Sequence, residues 1–221
     1  MKWEIKQFNS LVSTNTTARD CPVGTIVMAE TQTGGRGRYG RVWQSPRGNL
    51  YVSFVFESNS MRDKYLSFLT GLALAESLPE FNVRLKWPND VLLDGKKVAG
   101  ILLETTKNKV IVGIGVNLIS NPEKNMLYPT ANLGGRLTPI GLVKRLMIQY
   151  DALLAVFDKK GFKKIRARWL DLATGVGETI SVHLPTEELI GTFKGISDEG
   201  ALLLKTGKKV RSITVGDVFL I

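Results

Sequence analysis

The sequence is poor in the residues that most metal centres and covalent catalysts use. In 221 residues it has one cysteine, Cys21, and one histidine, His183. A lone cysteine cannot form an intramolecular disulfide, and a zinc site of Cys and His ligands is excluded. The same scarcity argues against a Ser-His-Asp or Cys-His nucleophile. The chemistry of this chain must therefore use Lys, Arg, carboxylates, amides and the backbone.

Membrane and export signals are missing as well. No apolar run approaches membrane-spanning length, and the first residues lack the basic-then-apolar order of a signal peptide. We therefore expect a soluble cytoplasmic protein without a membrane partner. Hydrophobic residues make up 43% of the chain, enough for a sizeable core. The formal net charge of +10 fits nucleic acid, a nucleotide phosphate, an acidic protein partner, or only a lysine-rich solvated surface.

Hydrophobic periodicity predicts an α+β main domain built on a mixed or antiparallel sheet. Strands are predicted at residues 26–29, 50–57, 83–87, 98–104 and 110–118. The strand at 50–57 alternates as expected for one buried face, and the strand at 83–87 points Lys86 away from its apolar side chains. Helices are predicted at 66–78, 138–158 and 162–172, and Thr138 followed by proline is a typical helix start.

After Gly175 the pattern changes to five short alternating segments separated by turn residues. They span residues 179–184, 189–196, 201–205, 210–214 and 218–221. So many strands in so short a segment predict a small, strongly bent barrel. We therefore expect a main domain at residues 1–174 and a small all-β domain at residues 175–221.

A loop rich in glycine and arginine, GRGRYGR at 35–41, follows the first predicted strand. It matches the pattern G-x-G-x-x-G, but no helix begins after it, as a dinucleotide-binding fold requires. A kinase is excluded because its other motifs are absent. Glycine permits close backbone approach and arginine binds phosphate or carboxylate, so we expect this loop to be poorly ordered when empty and to close over an anion. A solvated or RNA-binding arginine-glycine segment is the alternative.

Together with KWPND at 86–90, this loop carries a family resemblance. The chain is similar to the biotin–protein ligase family over nearly its whole length, in motifs that occur in the same order. They are Ser13-Thr14-Asn15, Gln32, GRGRYGR at 35–41, Trp43, KWPND at 86–90, AGILLE at 99–104 and GIGVN at 113–117. No winged-helix segment precedes Ser13 in this sequence. The chain therefore resembles the minimal form without an N-terminal DNA-binding domain, and we expect no DNA partner.

The resemblance implies a class II synthetase-like core flanked by helices and an SH3-like C-terminal β-barrel. It also implies an ATP-dependent, Mg²⁺-requiring ligase. The biotin carboxylate attacks the α-phosphate of ATP, and biotinyl-5′-AMP then gives biotin to a lysine of a biotin carboxyl carrier protein. A homodimer is implied too. A lipoate–protein ligase or octanoyltransferase shares this core but lacks the paired GRGRxGR and KWPND motifs. The non-enzymatic alternative is a basic nucleic-acid-binding module.

The family's functional residues carry over by position in the motifs. Lys86 and Arg38 are the expected catalytic residues, with Lys86 between the biotin carboxylate and the α-phosphate. The residues expected to bind biotin are Ser13, Thr14, Asn15, Gln32, Arg36, Gly37, Arg38 and Lys86. The residues expected to bind ATP or the adenylate are Arg36, Arg41, Trp43, Lys86 and Asn117. The sequence does not identify the Mg²⁺ ligands, although Asp90 is a candidate.

Overall fold

The centre of the molecule is a mixed seven-stranded sheet, seen in a computed structural model that describes residues 2–122 and 128–221. Its strands are β1 (Glu4–Leu11), β2 (Thr25–Gln32), β3 (Leu50–Glu57), β4 (Val83–Lys86), β5 (Asp90–Leu93), β6 (Lys96–Thr105) and β7 (Lys109–Val116). Their order across the sheet is β1-β2-β3-β7-β6-β5-β4. The β1 strand runs parallel to β2, and the other neighbours are antiparallel. The predicted α+β class with a mixed sheet is confirmed.

Two helices, α2 (Leu66–Glu76) and α3 (Pro139–Leu172), pack on one face of this sheet. Phe54 and Phe56 of β3 belong to that core, where their rings lie 4.9 and 5.3 Å from the ring of Tyr150 in α3. Tyr150 is fully buried. Aromatic side chains bury large apolar areas, so this layer is the main source of hydrophobic stabilisation.

The opposite face of the sheet is partly covered by a short helix, α1 (Thr14–Ala18). Ser53 of β3 is fully buried there; its hydroxyl lies 2.8 Å from Thr14 Oγ1 and donates to Asn15 Oδ1 at 2.6 Å. Both faces of β3 are therefore buried, and the predicted single buried face is wrong. The second face of β3 carries Tyr51, Ser53 and Val55, and Val55 packs with Ala18 of α1 in a smaller apolar cluster.

The long helical region near the end of the main body matches its prediction. Thr138 caps α3 by accepting a hydrogen bond from the Gly141 N–H at 3.2 Å, and Pro139 stands in the first turn. At Gly161 the backbone leaves the helical region, with φ 66° and ψ −174°. Glycine adopts positive φ readily, so α3 divides there into the two predicted helical segments. No helix within the described ranges is long and apolar enough to cross a membrane.

The C-terminal segment forms a separate five-stranded antiparallel sheet, as predicted. Its strands are β8 (Thr179–His183), β9 (Glu188–Ile196), β10 (Leu202–Thr206), β11 (Lys209–Ile213) and β12 (Asp217–Leu220). Their order is β11-β10-β9-β8-β12. The turn between β9 and β10 rests on the main body, where Tyr65 donates from its hydroxyl to Asp198 O at 2.9 Å and Trp87 donates from Nε1 to Gly200 O at 3.3 Å.

Two strands and one α-helix of the described residues lie outside the predictions: β1, β5 and α1. The β1 strand is an edge strand with mostly exposed side chains, so it shows little apolar alternation. The α1 helix has only five residues, too few for a helical period to be visible. The β5 strand begins at Asp90, two residues after Pro88, where the sequence indicates a break in the chain.

Candidate active site

A cavity of about 630 Å³ opens on the face of the sheet that α1 partly covers. Residues of β6 and β7 contribute to it, together with α1, the glycine-arginine loop and β12. Most of the predicted site residues line it, namely Ser13, Thr14, Asn15, Gln32, Arg36, Gly37, Arg38, Arg41 and Trp43. The fold therefore brings motifs that are distant in sequence into one site.

One part of the cavity is a network of short polar side chains. Gln32 Oε1 accepts a hydrogen bond from the Thr14 N–H at 2.8 Å, and Gln32 Nε2 donates to Ser45 Oγ at 3.0 Å. Ser13 precedes α1 as its N-cap residue, but its side chain makes no capping hydrogen bond. These side chains offer a ligand both donors and acceptors, and the position of the Gln32 amide is fixed by its neighbours.

Glycines of β7 make room for the side chains that pack against the cavity. A Cβ on Gly113 would lie 2.3 Å from Asn15 Oδ1, and a Cβ on Gly115 would lie 2.4 Å from a ring carbon of Trp43. Only glycine therefore fits at these positions without displacing a site residue. Trp43 Nε1 is a buried donor with no hydrogen-bond partner among the described residues. Because a buried unpaired donor is costly, this N–H is suited to bind a ligand acceptor.

Arg36, the first arginine of the glycine-arginine loop, is tied to the main body. Its NH2 pairs with Glu104 Oε1 of β6 at 2.9 Å, and its NH1 donates to Thr16 Oγ1 of α1 at 3.0 Å. Arg36 also forms an antiparallel backbone bridge with Val42, which closes the loop at its base. The base of the loop is thus held by the main sheet and α1.

The tip of the same loop contacts the C-terminal sheet region. Arg38 NH1 donates to Gly216 O at 3.3 Å, and Arg41 pairs with Asp217 through both terminal guanidinium nitrogens. Burial alone would raise the pKa of Asp217, but its hydrogen bond with Arg41 holds that pKa below its ordinary value. The arginines of the loop thus have carboxylate and carbonyl partners within the protein, and the poor order of the empty loop stays a prediction.

Lys86 is a buried cation at the end of β4, only 5% exposed. Its Nζ lies 3.2 Å from the ring centroid of Tyr128 and 3.9 Å from Asp90 Oδ2. Burial lowers the pKa of Lys86 to about 8, although the Asp90 carboxylate opposes that shift. Asp90 itself lies closer to Lys97, whose Nζ is 2.6 Å from Oδ1. The Lys86 ammonium is thus loosely paired, and an entering anion would relieve the cost of its burial.

Two predicted site residues, Lys86 and Asn117, do not form the cavity wall in this structure. Tyr128 lines the cavity and packs against the Lys86 ammonium. Asn117 is 2% exposed. Its side-chain Nδ2 donates to Ala131 O at 3.0 Å, and its backbone carbonyl accepts from the Leu133 N–H at 3.0 Å. Asn117 therefore fastens the segment at 131–133 to the end of β7.

Lys97, Tyr128 and Asp217 also line the cavity, but sequence reasoning does not identify them. None of the three stands in a motif of the resemblance. Asp217 is 176 residues from its partner Arg41, and such long-range pairing leaves no local pattern. The only available signal was the positive charge of the loop, which requires carboxylates somewhere in the fold.

Metal-binding residues are sparse. No group of three or more His, Cys, Asp or Glu side chains suited to a metal ion occurs within residues 2–122 and 128–221. Among the residues that the structure describes, Asp90 and Asp217 are the acidic side chains that line the cavity. Mg²⁺ is commonly held by one or two carboxylates together with substrate phosphates. The residues present thus fit an ion that arrives with a nucleotide.

Comparison with known proteins defines the class to which this fold and site belong. The Biotin/lipoate A/B protein ligase family model matches residues 5–121, and the Biotin protein ligase C terminal domain model matches residues 175–221. The chain belongs to the Biotin/lipoate A/B protein ligase family. The resemblance predicted from the motifs is confirmed.

Individual relatives agree with this assignment. A biotin–acetyl-CoA-carboxylase ligase of Paracoccus denitrificans is 37% identical over 213 residues, covering 87% of this chain and 89% of that protein. The bifunctional ligase/repressor BirA of Escherichia coli is 32% identical over 213 residues, covering 89% of this chain and 66% of that protein. The solved structure of a biotin protein ligase from Aquifex aeolicus in complex with biotin and ATP has a TM-score of 0.87 at 29% identity, covering 97% of each chain. The predicted ligase class and fold are confirmed.

Proposed function

We propose that this chain activates biotin with ATP as biotinyl-5′-AMP and transfers biotin to a lysine of a biotin carboxyl carrier protein. The observation that carries the proposal is the buried, loosely paired ammonium of Lys86 next to a cavity lined by Arg38 and Arg41. The biotin ligase of Paracoccus denitrificans and the Aquifex aeolicus structure with biotin and ATP support it.

The first half-reaction requires that two anions approach each other. The carboxylate oxygen of biotin attacks the α-phosphorus of ATP, the bond to the β-phosphate oxygen breaks, and pyrophosphate leaves. Lys86 supplies positive charge between the two groups, where water is largely excluded and the charge is most effective. For this its ammonium must leave the Tyr128 ring, whose centroid lies 3.2 Å from Lys86 Nζ.

The second half-reaction needs a mixed anhydride that is protected from water. The ε-amine of the acceptor lysine attacks the acyl carbon, and AMP leaves with the electrons of the broken bond. We propose that Arg38 and Arg41 exchange Gly216 and Asp217 for the bound intermediate, so that the loop closes over it. The same contacts occupy the two arginines until substrate enters.

The residue roles expected from the resemblance become proposals about this cavity. We assign biotin binding to Ser13, Thr14, Asn15, Gln32, Arg36, Gly37, Arg38 and Lys86, and nucleotide binding to Arg36, Arg41, Trp43, Lys86 and Asn117. The network around Gln32 supports the first set, because the ureido group of biotin presents both donors and a carbonyl acceptor. Asn117 would have to give up its contact with Ala131 to reach a nucleotide.

Mg²⁺ would be held by the phosphates of ATP, with Asp90 as the nearest protein carboxylate to Lys86. The ion would supply charge neutralisation at the phosphates during adenylation. We also propose a homodimer, carried over from the resemblance, and a cytoplasmic location, as predicted from the sequence. We further propose a division into domains at residues 1–174 and 175–221, and the start of the matched C-terminal family model at residue 175 supports it.

The experiment that tests this function is ATP–pyrophosphate exchange with biotin, lipoate or octanoate as the acid. We expect exchange with biotin only, and subsequent labelling of a purified carboxyl carrier domain. Exchange with lipoate at the rate seen with biotin would make the chain a lipoate–protein ligase. No exchange with any acid, together with salt-sensitive binding of DNA or RNA, would contradict the proposal and favour a nucleic-acid-binding module.

A further inference from the structure

Glu104 is the carboxylate that holds the base of the glycine-arginine loop. It lies near the end of β6, with its side chain 17% exposed. Arg36 reaches Oε1 at 2.9 Å, and Arg19, just after α1, reaches Oε2 at 3.0 Å. Each oxygen of this carboxylate therefore has its own arginine, but only Arg36 belongs to the loop.

The backbone makes Arg36 the fixed end of the loop. Beside the bridge between Arg36 and Val42, the Gly37 N–H donates to Arg41 O at 2.7 Å and the Trp43 N–H donates to Gly35 O at 3.0 Å. The base is thus a short hairpin whose side-chain attachment to the sheet is the Arg36–Glu104 pair. Movement of Arg36 would move the whole hairpin, including Trp43.

The two ends of the loop differ in their attachment. Arg36 is held from two directions, by Glu104 and by Thr16 Oγ1 at 3.0 Å. Within the described part of the chain, the tip is held by side chains only. Arg41 contacts Asp217 and Arg38 contacts Gly216 O on the C-terminal side of the cavity, and Arg38 NH1 also donates to Asn89 Oδ1 at 3.3 Å. A loop that closes over a ligand needs one end that stays in place while the other changes partners. The base also has a backbone attachment, because the Gly34 N–H donates to Val12 O at 2.8 Å, and this makes the base the end that stays.

The charge state of Glu104 suits this role. Burial alone would raise the pKa of Glu104, but hydrogen bonds from Arg36 and Arg19 outweigh burial and keep the carboxyl ionised. Charge-assisted hydrogen bonds of this kind are stronger than bonds between neutral groups. A glutamine at the same place would keep the size of the side chain and lose the charge.

We propose that Glu104 is a positioning residue for the ligase: it fixes Arg36 and thereby preforms the biotin end of the cavity while the tip of the loop exchanges partners. The inference rests on the proposed function and deepens it. Because Glu104 does not line the cavity, its loss should weaken the binding of biotin more than it slows the chemical step. The family motifs by themselves do not predict that the KM for biotin changes while kcat stays nearly the same.

The test compares Glu104→Gln, Arg36→Gln and the double variant, with Arg19→Gln as the matched control for the other arginine of the same carboxylate. We expect Glu104→Gln to raise the KM for biotin about tenfold with little change in kcat, since one charge-assisted contact is lost. Arg19→Gln should leave both parameters near those of the wild type. Glu104→Asp, which keeps the charge, should recover part of the loss.

A double-mutant cycle decides whether Glu104 acts through Arg36. The double variant should match Arg36→Gln alone, because removing Glu104 has no further effect once its partner is gone. Losses that multiply, or a fall in kcat with unchanged KM, would overturn the inference.

A second readout does not depend on catalysis. Trypsin cleavage after Arg38 in the ligand-free protein should be faster in Glu104→Gln than in wild type or Arg19→Gln, and equal cleavage rates would overturn the inference. If wild type shows no biotin-dependent pyrophosphate exchange, the proposed function fails. The cleavage rates then still decide whether Glu104 anchors the loop.

Discussion

The two faces of the central sheet contrast sharply, although the same strands form both. On the helix-covered face, Phe54 and Phe56 of β3 meet Tyr150 and Trp3 in an aromatic layer. On the other face, Ser53 of the same strand hydrogen-bonds with α1, and neighbouring β7 contributes glycines to a cavity lined by charged, polar and apolar side chains. One face is filled with large side chains, whereas the other is filled only beneath α1 and is kept open at the cavity by glycines.

This difference shows how one sheet can separate stability from function. On the apolar face, a lost side chain leaves a cavity in a close-packed core. On the face with the cavity, charged residues such as Lys86 and Arg38 have loose or exchangeable partners, so their removal should change the reaction more than the fold. Substitutions on the two faces should therefore have opposite effects on activity and stability.

The largest effect is expected for Lys86→Ala. Adenylate formation should fall by several orders of magnitude, because the charge between the two substrate anions is removed. The melting temperature should stay within a few degrees, since Asp90 retains its closer partner Lys97 at 2.6 Å. Biotin-dependent pyrophosphate exchange and thermal unfolding measure the two quantities. Exchange at the wild-type rate would exclude Lys86 from catalysis.

Phe54→Ala tests the opposite face. Its ring is fully buried against Tyr150, so the free energy of unfolding should fall by about 3–5 kcal/mol. The KM for biotin should not change at temperatures where the variant is folded. Chemical denaturation and steady-state kinetics provide the comparison. A large change in KM without loss of stability would break the separation between the faces.

Arg38→Gly addresses retention of the intermediate. Loss of one charge-assisted contact should speed escape of the adenylate about ten- to a hundredfold. Adenylate should still form, and released adenylate should label lysines of bystander proteins. The measurement is biotin incorporation into serum albumin in the presence of biotin and ATP. Albumin labelling that stays at the wild-type level, with adenylate formation intact, would show that Arg38 does not retain the intermediate.

The pH dependence should reflect the burial of Lys86, whose pKa is lowered from 10.5 to about 8. The protonated form attracts the anionic substrates, so kcat/KM for biotin should decline as pH rises through about 8. Stability should change in the opposite direction: between about pH 8 and 10.5 the unfolded chain holds more protons, and this group favours folding as pH rises. Lys86→Arg keeps its charge and should lose the decline near pH 8. A decline that persists in Lys86→Arg would assign it to another group.

The sequence predicts those parts of the fold that have a strong local pattern. The five C-terminal strands and the division of α3 at Gly161 follow from alternation, turn residues and helical spacing. The β1 strand is not predicted, because an exposed edge strand needs no apolar face. The burial of the second side of β3 is also not predicted, because α1 packs there and Thr14 and Asn15 contact Ser53. No periodicity in the sequence encodes that contact.

The motifs of the sequence predict most of the residues that form the site, but they do not predict which carboxylates pair with its cations. The glycine-arginine loop and Lys86 stand out because their residue types demand an anion. The carboxylates that pair with the arginines of the glycine-arginine loop are Glu104 and Asp217. They belong to different sheets and contact the loop only in the folded protein. From the positive charges of its own arginines, the loop is expected to be poorly ordered. In the folded protein, Glu104 and Asp217 supply the negative charge that the loop itself lacks.

Native mass spectrometry of the protein incubated with biotin, ATP and Mg²⁺ tests the central claim most directly. We predict that the wild type retains one biotinyl-5′-AMP per chain, which disappears when an acceptor carrier domain is added. Lys86→Ala, although folded, should retain none. A wild type that carries no adenylate under these conditions, or a Lys86→Ala variant that carries as much as wild type, would contradict the account.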